Sequence, residues 1–174
     1  MIGNIHNYGC VIEELPDLDL ASALTLAGDA VSGVVLAALR GTGLRHGHGY
    51  VVQRLLVGPS TATEIAVELG ITQQAVSKTL KELVGLGHVE AVPDPDDRRR
   101  HPVRLTPRGR RAVAKARAAR RDLDARFRDA LGDDGFERTL ASLLIVLDSL
   151  ALAGPVRRRA VPPPAYELPV VGCR

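Results

Sequence analysis

Between Gly58 and Gly87 the sequence punctuates itself so closely that few local structures fit it. Gly58 and Pro59 end one helix, because glycine permits the turn and proline cannot continue the hydrogen-bond ladder. Thr61-Ala62-Thr63-Glu64 has the spacing of a capping box and predicts a short helix ending at Leu69. Gly70 makes the turn, Ile71 fills the core beneath it, and Thr72 caps a second helix from Gln73 to about Val84. On that second helix Val76, Leu80 and Leu83 form a packed stripe. Gln73, Gln74, Ser77, Lys78 and Lys81 fall largely on the opposite surface.

Two short helices joined by a glycine turn predict a helix-turn-helix, whose second helix presents amide, hydroxyl and ammonium donors suited to base edges and phosphates. After Gly85 and Gly87 the period changes. His88 to Val92 and His101 to Leu105 read as a pair of strands, with Pro93 to Arg100 as a long hairpin tip and Pro102 at an edge or outward-facing position. Thr106-Pro107 starts a helix that keeps a three-to-four rhythm through Ala112, Val113, Ala116, Ala119, Leu123 and Phe127 to about Arg128.

The flanks are helical as well. A charge-poor helix runs from about Leu18 to Arg40; it has more apolar surface than one internal face needs, which suggests a subunit contact. A second fits His46 to Val57. A last helix, about Gly135 to Ala153, carries Leu140, Leu143, Leu144, Leu147 and Leu150 and is expected to stop at Gly154-Pro155 before an extended or flexible tail. The fold class expected is mainly α with a small β-wing, a winged helix-turn-helix on a helical dimerisation base. Its divisions are an arm (1–17), the base (18–57 and 107–153), the DNA-binding region (58–106) and a Pro/Arg-containing tail (154–174).

Charge supports a polyanionic partner. Residues 71–128 carry a net +8 between acidic flanks, and from Arg98 to Arg121 there are eleven Lys/Arg and no acid. With aromatics at 3% and no Trp, a stacking platform for single strands is not expected. HExxH, GxSxG and GxxxxGK[ST] are all missing from the sequence, so no enzyme and no cofactor is expected. Neither a secretory start nor an uninterrupted spanning run is read, which gives a cytoplasmic, nucleoid-associated expectation without a membrane role.

The run Asp94-Pro95-Asp96-Asp97-Arg98-Arg99-Arg100-His101-Pro102-Val103-Arg104-Leu105-Thr106-Pro107-Arg108-Gly109 resembles the wing and following helix start of the MarR family of bacterial regulators. Upstream, Gly58 to Ala66 and Gly70 to Lys78 are similar to its helix-turn-helix in order and spacing, and the resemblance spans about residues 18–153. It implies a triangular homodimer that binds pseudo-palindromic duplex DNA, usually as a repressor. It also implies Asp97 as the acid bracing the wing and Arg99 as the arginine entering the minor groove, where a planar guanidinium suits a narrow, negative channel. Beside these, Thr72, Gln73, Gln74, Ser77 and Lys78 are expected at the DNA, with Lys81, Arg98, Arg100 and Arg104 on phosphates. Two departures stand out: His88 where the family commonly has leucine, and Ala91-Val92 where basic residues are common.

The family also implies a small lipophilic or aromatic effector in a cleft between base and lobe, for which His46, His48 and Tyr50 are the candidates. His46 and His48 are two apart and do not share a helix face, so a metal site assembled from them with His6, His88 or His101 is not expected. Cys10 and Cys173 are the redox candidates, since some family members sense oxidants through an amino-terminal cysteine; incidental thiols are the simpler reading. The alternatives to a ligand-released repressor are a low-specificity architectural DNA-binding protein and a thiol-based regulator.

Overall fold

Side-chain caps set most of the helix starts in the computed structural model, which describes residues 17–94 and 100–163. Helix α1 (Leu20–Ala38) begins where the Asp19 carboxylate accepts from the Ser22 amide at 2.8 Å. Helix α2 spans His48–Leu55. Helix α3 (Ala62–Leu69) carries the expected capping box, with Thr61 and Glu64 each accepting from the other's amide, and ends on Gly70 in the left-handed conformation. Helix α4 (Gln73–Gly85) is capped by Thr72. Strands β1 (Val89–Ala91) and β2 (Val103–Leu105) pair antiparallel with Val89 opposite Leu105, forming the small wing. Helix α5 (Pro107–Ser149) follows its Thr106 cap and is broken at Gly132 (φ 69°, ψ 161°); helix α6 (Ala153–Arg157) comes last.

One core joins α2, α3, α4, the wing and the start of α5. Val51 and Leu55, Ile65 and Leu69, Val76 and Leu83, and Val89 and Leu105 are all buried within it. Each such aliphatic side chain contributes roughly 1.5–3 kcal/mol on burial, so the lobe is held mainly by Leu, Val and Ile packing, with Tyr50 partly buried against it. Backbone links close it. Ser60 exchanges both backbone hydrogen bonds with Val103, at 3.1 and 2.9 Å, on the side of β2 away from β1. Pro102 precedes a strand of a two-stranded sheet and is buried, so the outward-facing option fails; its carbonyl accepts from the Val92 amide at 2.9 Å, a bond that needs no proline N–H.

The junction between wing and α5 requires glycine. A Cβ on Gly109 would lie 2.2 Å from the His88 carbonyl oxygen. That carbonyl accepts from the Thr106 amide, and the Thr106 hydroxyl donates to the Gly87 carbonyl at 2.7 Å. His88 itself is fully buried, and its Nε2 donates to the Thr42 carbonyl at 2.9 Å, tying the wing to the α1–α2 connection.

The base is thinner. Val35 and Leu39 of α1 pack on Ala112 and Ala116 of α5, whose small side chains allow close approach. Beyond that seam α1 and the far half of α5 expose Leu20, Leu26, Leu140, Leu144, Ile145 and Leu150, and Phe127, placed on the inner rhythm by sequence, is exposed as well. Across the Gly132 break, Arg128 pairs with Glu137 at 2.7 Å and Asp133 at 3.2 Å and lies 4.0 Å above the Phe136 ring.

The carboxy-terminal segment departs from expectation. The last long helix ends at Ser149, before Gly154-Pro155, and Ala151 turns the chain with φ 58°. Pro155 then sits in the first turn of α6, where no amide donor is required. Ala160 is buried in the lobe core, so residues 153–160 are folded back where an extended or flexible tail is expected.

Candidate nucleic-acid interface and adjoining cleft

Helix α4 separates its chemistry by face. Val76, Leu80 and Leu83 are buried, while Thr72, Gln73, Gln74, Ser77, Lys78 and Lys81 are all exposed. Since α3 and α4 share the lobe core, the polar face is presented on a rigid support. The Thr72 hydroxyl accepts from the Ala75 amide at 3.2 Å and keeps its own proton free to donate outward.

The wing beside it is anchored by charge. Arg100 pairs with Glu64 on α3 and, at 3.0 Å, with Asp94 on the opposite arm of the hairpin. Glu64 also accepts from the Thr61 amide at 2.9 Å and the Ser60 hydroxyl at 3.0 Å; these bonds, led by the Thr61 amide, hold its carboxyl down at about 2. Arg104 pairs with Glu90 across the two strands at 2.8 Å. Arg100 and Arg104, expected at phosphates, therefore have carboxylate partners within the chain, and Arg100 ties the wing to α3. Asp97, Arg98 and Arg99 lie outside the described residues, as do Cys10, Cys173 and His6.

A cavity of about 590 Å³ lies between the base and the lobe, walled by α1, α2, α5 and residues 156–161. It brings together His46, His48 and Tyr50, the three residues singled out for it by sequence. Tyr50 meets His46 edge-on, with centroids 5.7 Å apart and its hydroxyl 3.3 Å from Nε2; burial pushes its phenol upward and keeps it neutral. His48 is buried. Its Nδ1 accepts from the Arg45 amide at 3.2 Å, which leaves Nε2 to donate to the Glu82 carboxylate at 2.9 Å. The Arg45 guanidinium pairs with the same carboxylate, and the two partners, His48 first, hold Glu82 below the usual range. Glu82 is on α4, so a wall of the cavity is bonded directly to the helix carrying the exposed Gln and Lys side chains.

Sequence reading missed Arg45, Glu82, Arg120, Arg157 and Arg159 at this cleft. Glu82 offered one faint signal, as the lone acid on a helix of amides and lysines. Among the described residues no group of three or more His, Cys, Asp or Glu side chains could hold a metal ion; His88 bonds Thr42 and His101 is exposed.

The sequence profile of the MarR family matches residues 43–100, which contain α2, α3, α4 and the first wing strand. Over that stretch the chain is similar to the MarR family. Its MarR fold continues beyond that match. The transcriptional repressor CouR bound to a 23-mer DNA duplex is 29% identical, with a TM-score of 0.58 over 78% of this chain and 94% of that one. A MarR-family transcriptional regulator from Rhodococcus sp. RHA1 is 25% identical, with a TM-score of 0.55 over 74% of this chain and 91% of that one. MepR from S. aureus, in a DNA complex, superposes with a TM-score of 0.61 over 73% of this chain and 96% of its own, at 21% identity. A search of curated proteins gives no match.

Proposed function

We propose that this chain is a homodimeric transcriptional regulator of the MarR type that grips pseudo-palindromic duplex DNA and acts as a repressor released by a small organic effector. The observation that carries the reading is the exposed donor face of α4 on a wholly apolar underside, beside a wing anchored to the same lobe. In this reading Gln73, Gln74, Ser77 and Lys78 meet base edges in the major groove. Lys81, Arg98 and Arg104 meet phosphates, and Arg99 enters the minor groove with Asp97 holding it. Arg100 positions the wing while keeping one face toward the backbone. DNA places this work in the cytoplasm, at the nucleoid.

Dimerisation follows from surface that one chain leaves uncovered. Helix α1 is the one described helix long and apolar enough to cross a membrane, with a mean hydropathy of 1.7 and only 6% of that stretch buried in the single chain. Asp29 near its middle and the packing of Val35 and Leu39 on α5 favour a protein partner over lipid. A second copy pairing α1 and the end of α5 across a two-fold axis buries Leu20, Leu26, Leu144 and Ile145, and sets two α4 helices toward successive major grooves. In this reading α2, whose Val51 and Leu55 pack in the lobe core, stands on the lobe side, and the cleft lies between it and α1.

Release is carried through Glu82. A ligand in the cavity competes with Glu82 for Arg45 and crowds His48, and either change moves the anchorage of α4. The test is a titration of duplexes selected from a random library against scrambled duplex at fixed salt. Strong discrimination with two chains per site supports the regulator; equal affinity for both duplexes supports an architectural role.

A further inference from the structure

Residues 151–161 return from the end of the base to the winged lobe and close one side of the cavity. The return uses two non-glycine residues in the left-handed region, Ala151 (φ 58°) and Arg159 (φ 54°), each at a cost on the order of 1 kcal/mol. Burial of Ala160 in the lobe core and the bond from its amide to the Pro155 carbonyl, 3.0 Å, offset that cost and fix the path. Val156, Arg157, Arg159 and Val161 thereby become cavity wall.

The charge of that wall is one-sided. Four arginines line the cavity, Arg45, Arg120, Arg157 and Arg159, with no Asp or Glu among the lining residues. Arg45 is matched by Glu82. Among the described residues Arg159 makes only a long bond to the neutral Gln53 amide oxygen, 3.4 Å, and Arg157 has no ion pair. Guanidinium groups left without a carboxylate beside an apolar chamber complement a molecule with an apolar body and an anionic end.

We infer that residues 153–161 form an anion-binding strap, in which Arg157 and Arg159 take the carboxylate, sulfonate or phosphate group of an amphipathic organic anion whose body lies against Val35, Leu39, Val52 and Ala116. The inference rests on the effector-cleft reading and deepens it: a segment after the last long helix sets which ligands the cavity accepts. The strap's own fold depends on Ala160 rather than on the arginines, so their charge can be removed without removing the wall.

The experiment is a fluorescence titration of the full chain with 1-anilinonaphthalene-8-sulfonate and with its uncharged relative N-phenyl-1-naphthylamine, on wild type, R157Q/R159Q and the cavity-filling variants Ala116→Trp and Leu36→Trp, with folding checked by circular dichroism. The strap predicts that R157Q/R159Q weakens the sulfonate about tenfold, the scale of one lost charge-assisted contact, and leaves the neutral probe unchanged. Unchanged sulfonate affinity overturns the strap. Equal loss of both probes also overturns it, since the segment is then wall alone. If neither cavity-filling variant weakens either probe, the cleft reading falls and the strap with it; weakening of both probes by either filling variant, with R157Q/R159Q indifferent, removes only the strap.

Discussion

The winged lobe and the helical base are built from the same aliphatic residues and finished to different degrees. In the lobe, Ile65, Val76 and Leu83 have no exposed surface. In the base, Leu20 is 65% exposed, Leu144 54% and Ile145 71%. The same currency of Leu, Ile and Val therefore supports a self-sufficient unit in one place and an open surface in the other. The lobe completes its core alone, whereas the base leaves its apolar surface open, and that open surface is where the proposed dimer would place a second copy.

The sharpest break between the two regions comes from matched substitutions. Leu83→Ala should lower folding stability by about 2–5 kcal/mol, independent of protein concentration, because it opens a cavity in a closed core. Ile145→Arg should leave lobe folding intact and convert the dimer to monomer, seen by light scattering and by a melting temperature that no longer rises with concentration. A dimer unaffected by Ile145→Arg would remove the contrast. Next in size is Arg99→Ala, expected to weaken operator binding by about 1–3 kcal/mol with the dimer preserved, as measured by anisotropy at constant salt. Lys81→Ala should be smaller and differently shaped, lowering affinity for all duplexes alike and reducing the salt slope by about one.

Much of this was legible locally. Thr61 with Glu64, Gly70 with Thr72, and Thr106 with Pro107 each write a helix boundary within four residues, and each boundary is found where it is written. The paired use of Arg100 was not legible, because Glu64 lies 36 residues away and only the fold brings it to the wing. Nor was the return of residues 151–161. Gly154-Pro155 reads as a stop, yet proline at the first turn of a new helix breaks no bond, and one buried alanine, Ala160, carries too little sequence signal to announce a core position. The cleft was half legible: Tyr50 and its histidines stood out by residue type, whereas Arg45 and Glu82 matter only through each other.

The smallest effect tests the wing's tether. Glu64 titrates near 2 in the folded chain against an ordinary 4.5, so the folded state holds that proton more weakly than the unfolded one. Its contribution to stability is complete above pH 4.5 and is lost as the pH falls through about 2. Glu64→Gln should therefore be less stable than wild type at neutral pH and should lose less stability over that acid interval, read from melting curves across pH. Parallel curves for the two proteins would remove the tether's electrostatic part.

Two copies of this lobe, held by a shared base, are proposed to read one duplex site. Analytical ultracentrifugation of the chain with a library-selected duplex and with a scrambled duplex at the same salt distinguishes this arrangement from a monomer or a nonspecific binder. A complex of two chains and one selected duplex should persist at salt concentrations where the scrambled duplex is free. A monomer bound to the selected duplex, or equal retention of both duplexes, would contradict it.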